Sequence, residues 1–141
     1  MSQWLPRTQL PGQQVSVSAT TTPLLPGASA LLDLQGLGRL GHFIAITADV
    51  PAWVSFYSSA AARQADGSRQ ITTDPLPGSG VLLDLLTTTP AETVAAGPGC
   101  TYFSSEVTTA SPQPPLRALV RNTGTAQAAI ALTVTAVVLA P

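Results

Sequence analysis

Ala128-Ala129-Ile130-Ala131-Leu132-Thr133-Val134-Thr135-Ala136-Val137-Val138-Leu139 decides the fold class. The run is rich in β-branched residues and holds no Gly or Pro. Laid out as a strand, it puts Ile130, Leu132, Val134, Ala136 and Val138 on one face. Ala129, Ala131, Thr133, Thr135 and Val137 then fall on the other. An apolar face opposite a small and hydroxylic one describes a wall of a β-sandwich.

Working back along the chain, thirteen Pro and eleven Gly cut the sequence into short apolar runs. Strand candidates begin at Val15-Ser16-Val17-Ser18-Ala19-Thr20 and continue at residues 29–34, 42–50, 53–58 and 80–87. Glu92-Thr93-Val94-Ala95, Thr101-Tyr102-Phe103-Ser104-Ser105 and Leu116-Arg117-Ala118-Leu119-Val120-Arg121 follow. Eight or nine short strands with turn signals between them predict an all-β chain. The expected form is a single antiparallel β-sandwich, jelly-roll or immunoglobulin-like.

The sandwich is expected over residues 15–141, behind an extended N-terminal arm at residues 1–14 that carries Pro6, Pro11 and Gly12. Ala60-Ala61-Ala62-Arg63-Gln64-Ala65-Asp66 has helix formers and is placed in a long loop over one end of the sandwich. The strand at 116–121 is expected to pair with the terminal strand across Asn122-Thr123-Gly124-Thr125, with Gly124 at positive φ. Val15, Val17, Leu32, Leu34, Ile44, Ile46, Val54, Phe56, Leu83, Leu85, Val120, Leu132 and Val134 are the expected core. Burying each is worth about 1.5–3 kcal/mol.

Charge sets the first limits on function. Only 9% of the residues are charged, against about 25% in an average soluble domain. The formal net charge is −1, which gives little self-repulsion, so the surface is read as one that other subunits cover. All six basic residues are Arg. Scattered among seven acids, they form no electropositive stripe, and nucleic acid is not an expected partner.

The apolar C-terminal run is shorter than the ~20 residues a bilayer needs, so no membrane partner is expected. The N-terminus lacks a basic region followed by an apolar core, and the product is expected to stay in the cytoplasm where it is made.

Chemistry-bearing patterns are missing. His42 is the single histidine and Cys100 the single cysteine. No G-x-S-x-G elbow accompanies either. His42 is read as a rim residue and Cys100 as a small buried hydrophobe. One His and one Cys cannot build a zinc site, and the dispersed acids form no calcium loop. Neither a catalytic site, nor a metal, nor a cofactor is expected.

Aromatic and Arg side chains are the candidates for contact. Trp4, Trp53, Tyr57 and Tyr102 could stack on sugar rings. Trp53 and Tyr57 share the strand face opposite Val54 and Phe56, and the alternative is that they pack beneath the loop at 60–79 or at a subunit contact. In the arm, Trp4, Leu5 and Arg7 are expected anchors on a partner. Arg63 and Arg69 flank Asp66. An Arg–Asp pair there would fix the loop's shape, or an Arg would reach a neighbouring subunit.

One segment carries a family resemblance. Val54-Ser55-Phe56-Tyr57 leads into Ala60-Ala61-Ala62, then an Arg63/Asp66/Arg69 loop, an Asp74-Pro75 turn and the Leu82-Leu83-Asp84 strand. Arg121-Asn122-Thr123-Gly124 then precedes the alternating Val/Thr strand at 129–139. This order resembles a β-sandwich module of bacteriophage virion structural proteins, notably tail- and fibre-associated ones of tailed phages. It covers about residues 28–139.

The resemblance implies a small tail- or tail-fibre-associated accessory subunit of the virion, made in the host cytoplasm. Its partners would be other phage structural proteins and copies of itself, with a trimer favoured by fibre geometry. A carbohydrate- or receptor-binding tail module using Trp53 and Tyr57 on a surface glycan is the alternative from another class. A capsid decoration protein is the third reading.

Overall fold

The computed structural model describes residues 12–141. Trp4, Leu5 and Arg7, and with them the expected arm anchors, lie outside the described residues. Nine strands follow in order: β1 (Gln13–Thr20), β2 (Ser29–Leu34), β3 (Leu40–Ala48), β4 (Ala52–Tyr57), β5 (Val81–Leu86), β6 (Glu92–Ala95), β7 (Thr101–Phe103), β8 (Leu116–Asn122) and β9 (Ala131–Ala140). One helix, α1 (Ala60–Asp66), sits between β4 and β5. Gln13 and Gln14, read from the sequence as the end of the arm, belong to β1.

Two antiparallel sheets face each other, ordered β1-β9-β3-β6, with β7 also on β3, and β2-β8-β4-β5. The pairings are nested. β1 pairs with β9, β2 with β8, β3 with both β6 and β7, and β4 with β5. The chain is thus one long hairpin rolled up so that β9 also meets β3 and β8 also meets β4. That is a jelly roll, one of the two sandwich forms expected.

The core lies between the sheets. Ile130, just before β9, and Leu132, Val134, Ala136 and Val138 along it are fully buried, as their alternation predicts. Phe43 is central, with ring centroids 5.0 Å from both Phe56 and Tyr102, within the range of favourable aromatic pairs. Tyr102, one of the aromatics proposed as a sugar platform, points inward instead and donates to the Leu37 carbonyl at 2.6 Å. A Cβ on Gly41 would overlap the Tyr102 ring, so glycine there lets the phenol cross β3.

Four expectations are corrected. Ile44 is not core: it is the extra residue of a β-bulge between Phe43 and Ala45 and stays 39% exposed. A bulge turns two successive residues to the same side and breaks simple alternation. β8 and β9 do not form a hairpin, because each belongs to a different sheet. The Asn122 side chain organises the crossing, donating to the Leu24 and Ala126 carbonyls and accepting from the Gly124 amide.

Gly124 is not among the positive-φ glycines, since a crossover needs no tight hairpin turn. Finally, α1 covers the outer face of the β2-β8-β4-β5 sheet rather than an end. It touches β4 and β8, and Ser59 caps it by accepting from the Ala62 amide at 3.0 Å.

Candidate functional site: a charged clamp on one sheet, a neutral face on the other

Outward residues of the β2-β8-β4-β5 sheet fall into cross-strand rows. Ser29, Arg121, Trp53 and Leu86 form one row. Leu31, Leu119, Ser55 and Asp84 form the next, and Asp33, Arg117, Tyr57 and Val81 the third. Helix α1 and the segment after it lie over these rows and bring Arg63, Asp66 and Arg69. As a result Trp53 is only 7% exposed and Tyr57 only 1%. They do pack beneath the loop, so neither offers an open ring to a sugar.

Asp84 accepts from Trp53 Nε1 at 2.6 Å, Ser55 Oγ at 2.5 Å and Arg69 Nη1 at 3.1 Å. Asp66 accepts from Tyr57 Oη at 2.6 Å and from Arg69 Nε and Nη2 at 2.7 and 3.1 Å. The two-pronged Arg69–Asp66 contact is the loop-fixing pair expected from sequence. Arg63 turns away from it. Its Nη1 donates to Asp33 Oδ1 at 2.7 Å and to the Leu32 and Ala118 carbonyls.

Arg117 completes the chain of contacts. Its Nε donates to Glu106 at 2.9 Å and its Nη1 lies 3.0 Å from Asp33. Two guanidinium groups lie over the Trp53 ring: the Arg121 guanidinium carbon sits 3.6 Å from the ring centroid and that of Arg69 5.1 Å. Arg121 Nη2 is buried without a hydrogen-bond partner, and its nearest charge is Asp66 at 3.8 Å.

The clamp thus gathers four Arg (63, 69, 117, 121) and four acids (Asp33, Asp66, Asp84, Glu106) on one face. Burial alone would raise the pKa of Asp33, but the hydrogen bonds from Arg63 and Arg117 outweigh it and hold the carboxyl below its usual value. Asp84 behaves alike: burial is overcome by Arg69, Ser55 and Trp53. Burial, then the bond to Asp66, pushes the Tyr57 phenol up. Charged acids held by neighbouring Arg are ion-paired structure, not poised proton donors.

Several residues of the motif running from Val54 to Gly124 converge here. Tyr57, Arg63, Asp66, Arg69, Asp84 and Arg121 are all clamp members, and Asn122 adjoins them. The motif therefore records how α1 and its loop are fastened to the sheet. Sequence reasoning singled out Trp53, Tyr57, Arg63 and Arg69 and missed Asp33, Glu106 and Arg117. The outward phase of Asp33 in Ser29-Ala30-Leu31-Leu32-Asp33-Leu34 was the available signal.

Two of the clefts beside the clamp share a wall. One, of about 590 Å³, is mostly apolar, with Val50, Pro51, Ile71 and Leu86 in its wall. The other, of about 570 Å³, has Ser29, Ser68, Arg69 and Arg121. Ile71 and the 122–124 turn border both. Among the described residues no group of three or more His, Cys, Asp or Glu could hold a metal ion. His42 is partly buried with Nδ1 3.2 Å from Thr101 Oγ1. Cys100 is only partly buried, against the core edge.

The other sheet is the opposite in character. Its outward positions are Gln14, Ser16, Ser18 and Thr20 on β1, and Ala131, Thr133, Thr135, Val137 and Leu139 on β9. Leu40, His42, Ile44, Ala45 and Thr47 on β3 continue the face, with Thr93 and Ala95 on β6 and Thr101 and Phe103 on β7. None is Asp, Glu, Lys or Arg.

Hydroxyls pair across the strands: Ser16 with Thr135 and Ser18 with Thr133 at 2.8 Å, and Thr47 with Thr93 at 2.7 Å. Leu40, Phe103 and Leu139 gather at one end, all exposed. No protein-family model, no curated protein and no solved structure matches the chain.

Proposed function

We propose that this chain is a structural subunit of a bacteriophage virion, a small tail- or tail-fibre-associated accessory protein. It acts by docking on other phage structural proteins and on copies of itself, and it carries out no chemistry. It is made in the host cytoplasm and finishes in the particle. The observation that carries the docking half of this reading is the uncharged outer face of the β1-β9-β3-β6 sheet. An interface core is depleted of charged side chains in just this way. The virion half rests on the sequence motif, and the jelly roll adds only fold-level analogy, since that fold also serves lectins and cupins.

Trp53 and Tyr57 are sealed, so nothing favours the glycan-binding alternative at that place. A capsid decoration protein would use the same neutral face and differs only in location.

The test is detection in purified particles. An antibody raised against the isolated chain, with mass spectrometry of virions, should find it in stoichiometric amounts, and gold label should fall on the tail. Label on the capsid would replace the tail reading with the decoration one. Particles free of the chain would end the proposal.

A further inference from the structure

The structure assigns the outer face of the β1-β9-β3-β6 sheet to a second copy of the same chain, stacked face to face about a two-fold axis. This rests on the docking half of the proposed function and goes on to name the surface and its occupant.

Charge selects the occupant. A partner bearing ions would leave most of them desolvated and unpaired against this face, because its strands carry no outward charge and only Asp49, whose carboxylate accepts from the Ala131 amide, borders it at one end. The chain's other broad face could not serve either. Its Arg63, Arg69 and Arg117 are already matched to acids, Arg121 is stacked on Trp53, and α1 and its loop overlie it. The surface that meets the neutral sheet without stranding a charge is the same sheet on another molecule.

The area agrees. Four strands at ~4.8 Å spacing and eight residues at ~3.4 Å rise give a face of roughly 19 by 27 Å. Two such faces with their side-chain relief bury about 1,000–1,500 Å² together, where specific interfaces begin.

The pattern along the strands sets the geometry. Leu139, Leu40 and Phe103 make an apolar row at one end. Ser18, Thr133, Thr47 and Thr93 make a hydroxyl row toward the other. Between them, Ser16, Thr135, Ala45 and Ala95 cross the middle. A two-fold axis through that middle row returns the same patch on both copies, which is the isologous contact that closes a dimer. A three-fold assembly would need this face to meet a different surface. The neutral sheet therefore points to a pair, in place of the trimer that fibre geometry favours.

Sedimentation equilibrium of the purified full chain tests this. The expected result is a dimer at micromolar concentration. Thr135→Arg, in the middle row of the face, should raise the dissociation constant by at least about tenfold, because a like charge is buried on both copies. Phe103→Glu, at the exposed end of the same face, should do the same, and circular dichroism of both variants should match the parent. Leu31→Arg, exposed on the other sheet, should change nothing.

A monomeric parent chain overturns the inference while leaving incorporation into particles as a separate test of the proposed function. A dimer that survives both face variants and dissolves with Leu31→Arg, or with loss of residues 1–11, keeps self-association but removes it from this face.

Discussion

Arg121 lies against one face of the Trp53 indole, with its guanidinium carbon 3.6 Å from the ring centroid, while Nη1 donates to Ser55 at 3.1 Å. A stacked, desolvated cation–π contact is worth up to about 2 kcal/mol. Removal also takes a buried positive neighbour from Asp66. Arg121→Ala should therefore lower the unfolding free energy by about 2–4 kcal/mol, read from urea denaturation. Arg121→Lys should recover little, because an ammonium cannot lie flat on the ring and reach Ser55 at once. A variant as stable as the parent would show that the stack contributes nothing.

Acid should loosen the clamp. Asp33 and Asp84 titrate below their usual value in the folded chain, so the unfolded chain binds protons first as pH drops. The stabilisation they give is complete above the ordinary Asp pKa of about 4. It is lost as pH falls through the lower folded values. Stability measured against pH should therefore be flat on the acid side down to about pH 4 and then decline. Asp84→Asn should lower the plateau and shorten that decline. An acid limb unchanged by Asp84→Asn would refute the assignment.

Tyr102 holds the carbonyl of Leu37 from inside the core. Tyr102→Phe keeps the ring and leaves that carbonyl unmatched, at a cost of about 1–3 kcal/mol. At high pH the sign reverses relative to the carboxylates. Burial pushes the phenol up to about 12 from 10.0, so its contribution is full below 10.0 and disappears as pH rises toward 12. Tyr102→Phe should flatten that alkaline limb, which thermal melts between these pH values would show.

Gly41 is required by what crosses it. Gly41→Val would place methyl groups where the Tyr102 ring and the Val137 carbonyl already stand. Neither neighbour is the free end of a flexible side chain. Overpacking at such a site costs about 1–3 kcal/mol and occasionally more. The variant should melt well below the parent in calorimetry, while Gly97→Ala, where a Cβ meets open space, should not.

The strands were legible wherever one face is buried and the other is not. β9 and β1 follow strict alternation, and β4 reads correctly as Val54 and Phe56 in, Trp53 and Tyr57 out. Legibility failed at Ile44 because a bulge shifts phase without any Gly or Pro to announce it. The β8–β9 link misread as a hairpin because Asn122-Thr123-Gly124 has turn composition, whereas its real work is hydrogen bonding toward Leu24. The clamp was half visible. Arg69 and Asp66 are three residues apart and pair locally, but Arg63–Asp33 and Arg117–Glu106 depend on which strands become neighbours. Outward alternation marks such residues without naming their partners.

Ser16 meets Thr135 across 119 positions of sequence, and β9 is wedged between β1 and β3. The first and third strands therefore have no common neighbour until the ninth has been synthesised. β1 must wait until β9 emerges with its edge groups unanswered, which makes for slow maturation and a window in which nascent chains can pair wrongly with one another. Cutting the chain before Ala131 would remove the middle plank of one wall rather than trim a loose end. Any tag or fusion partner is thus better tolerated beyond β9 than in place of its residues.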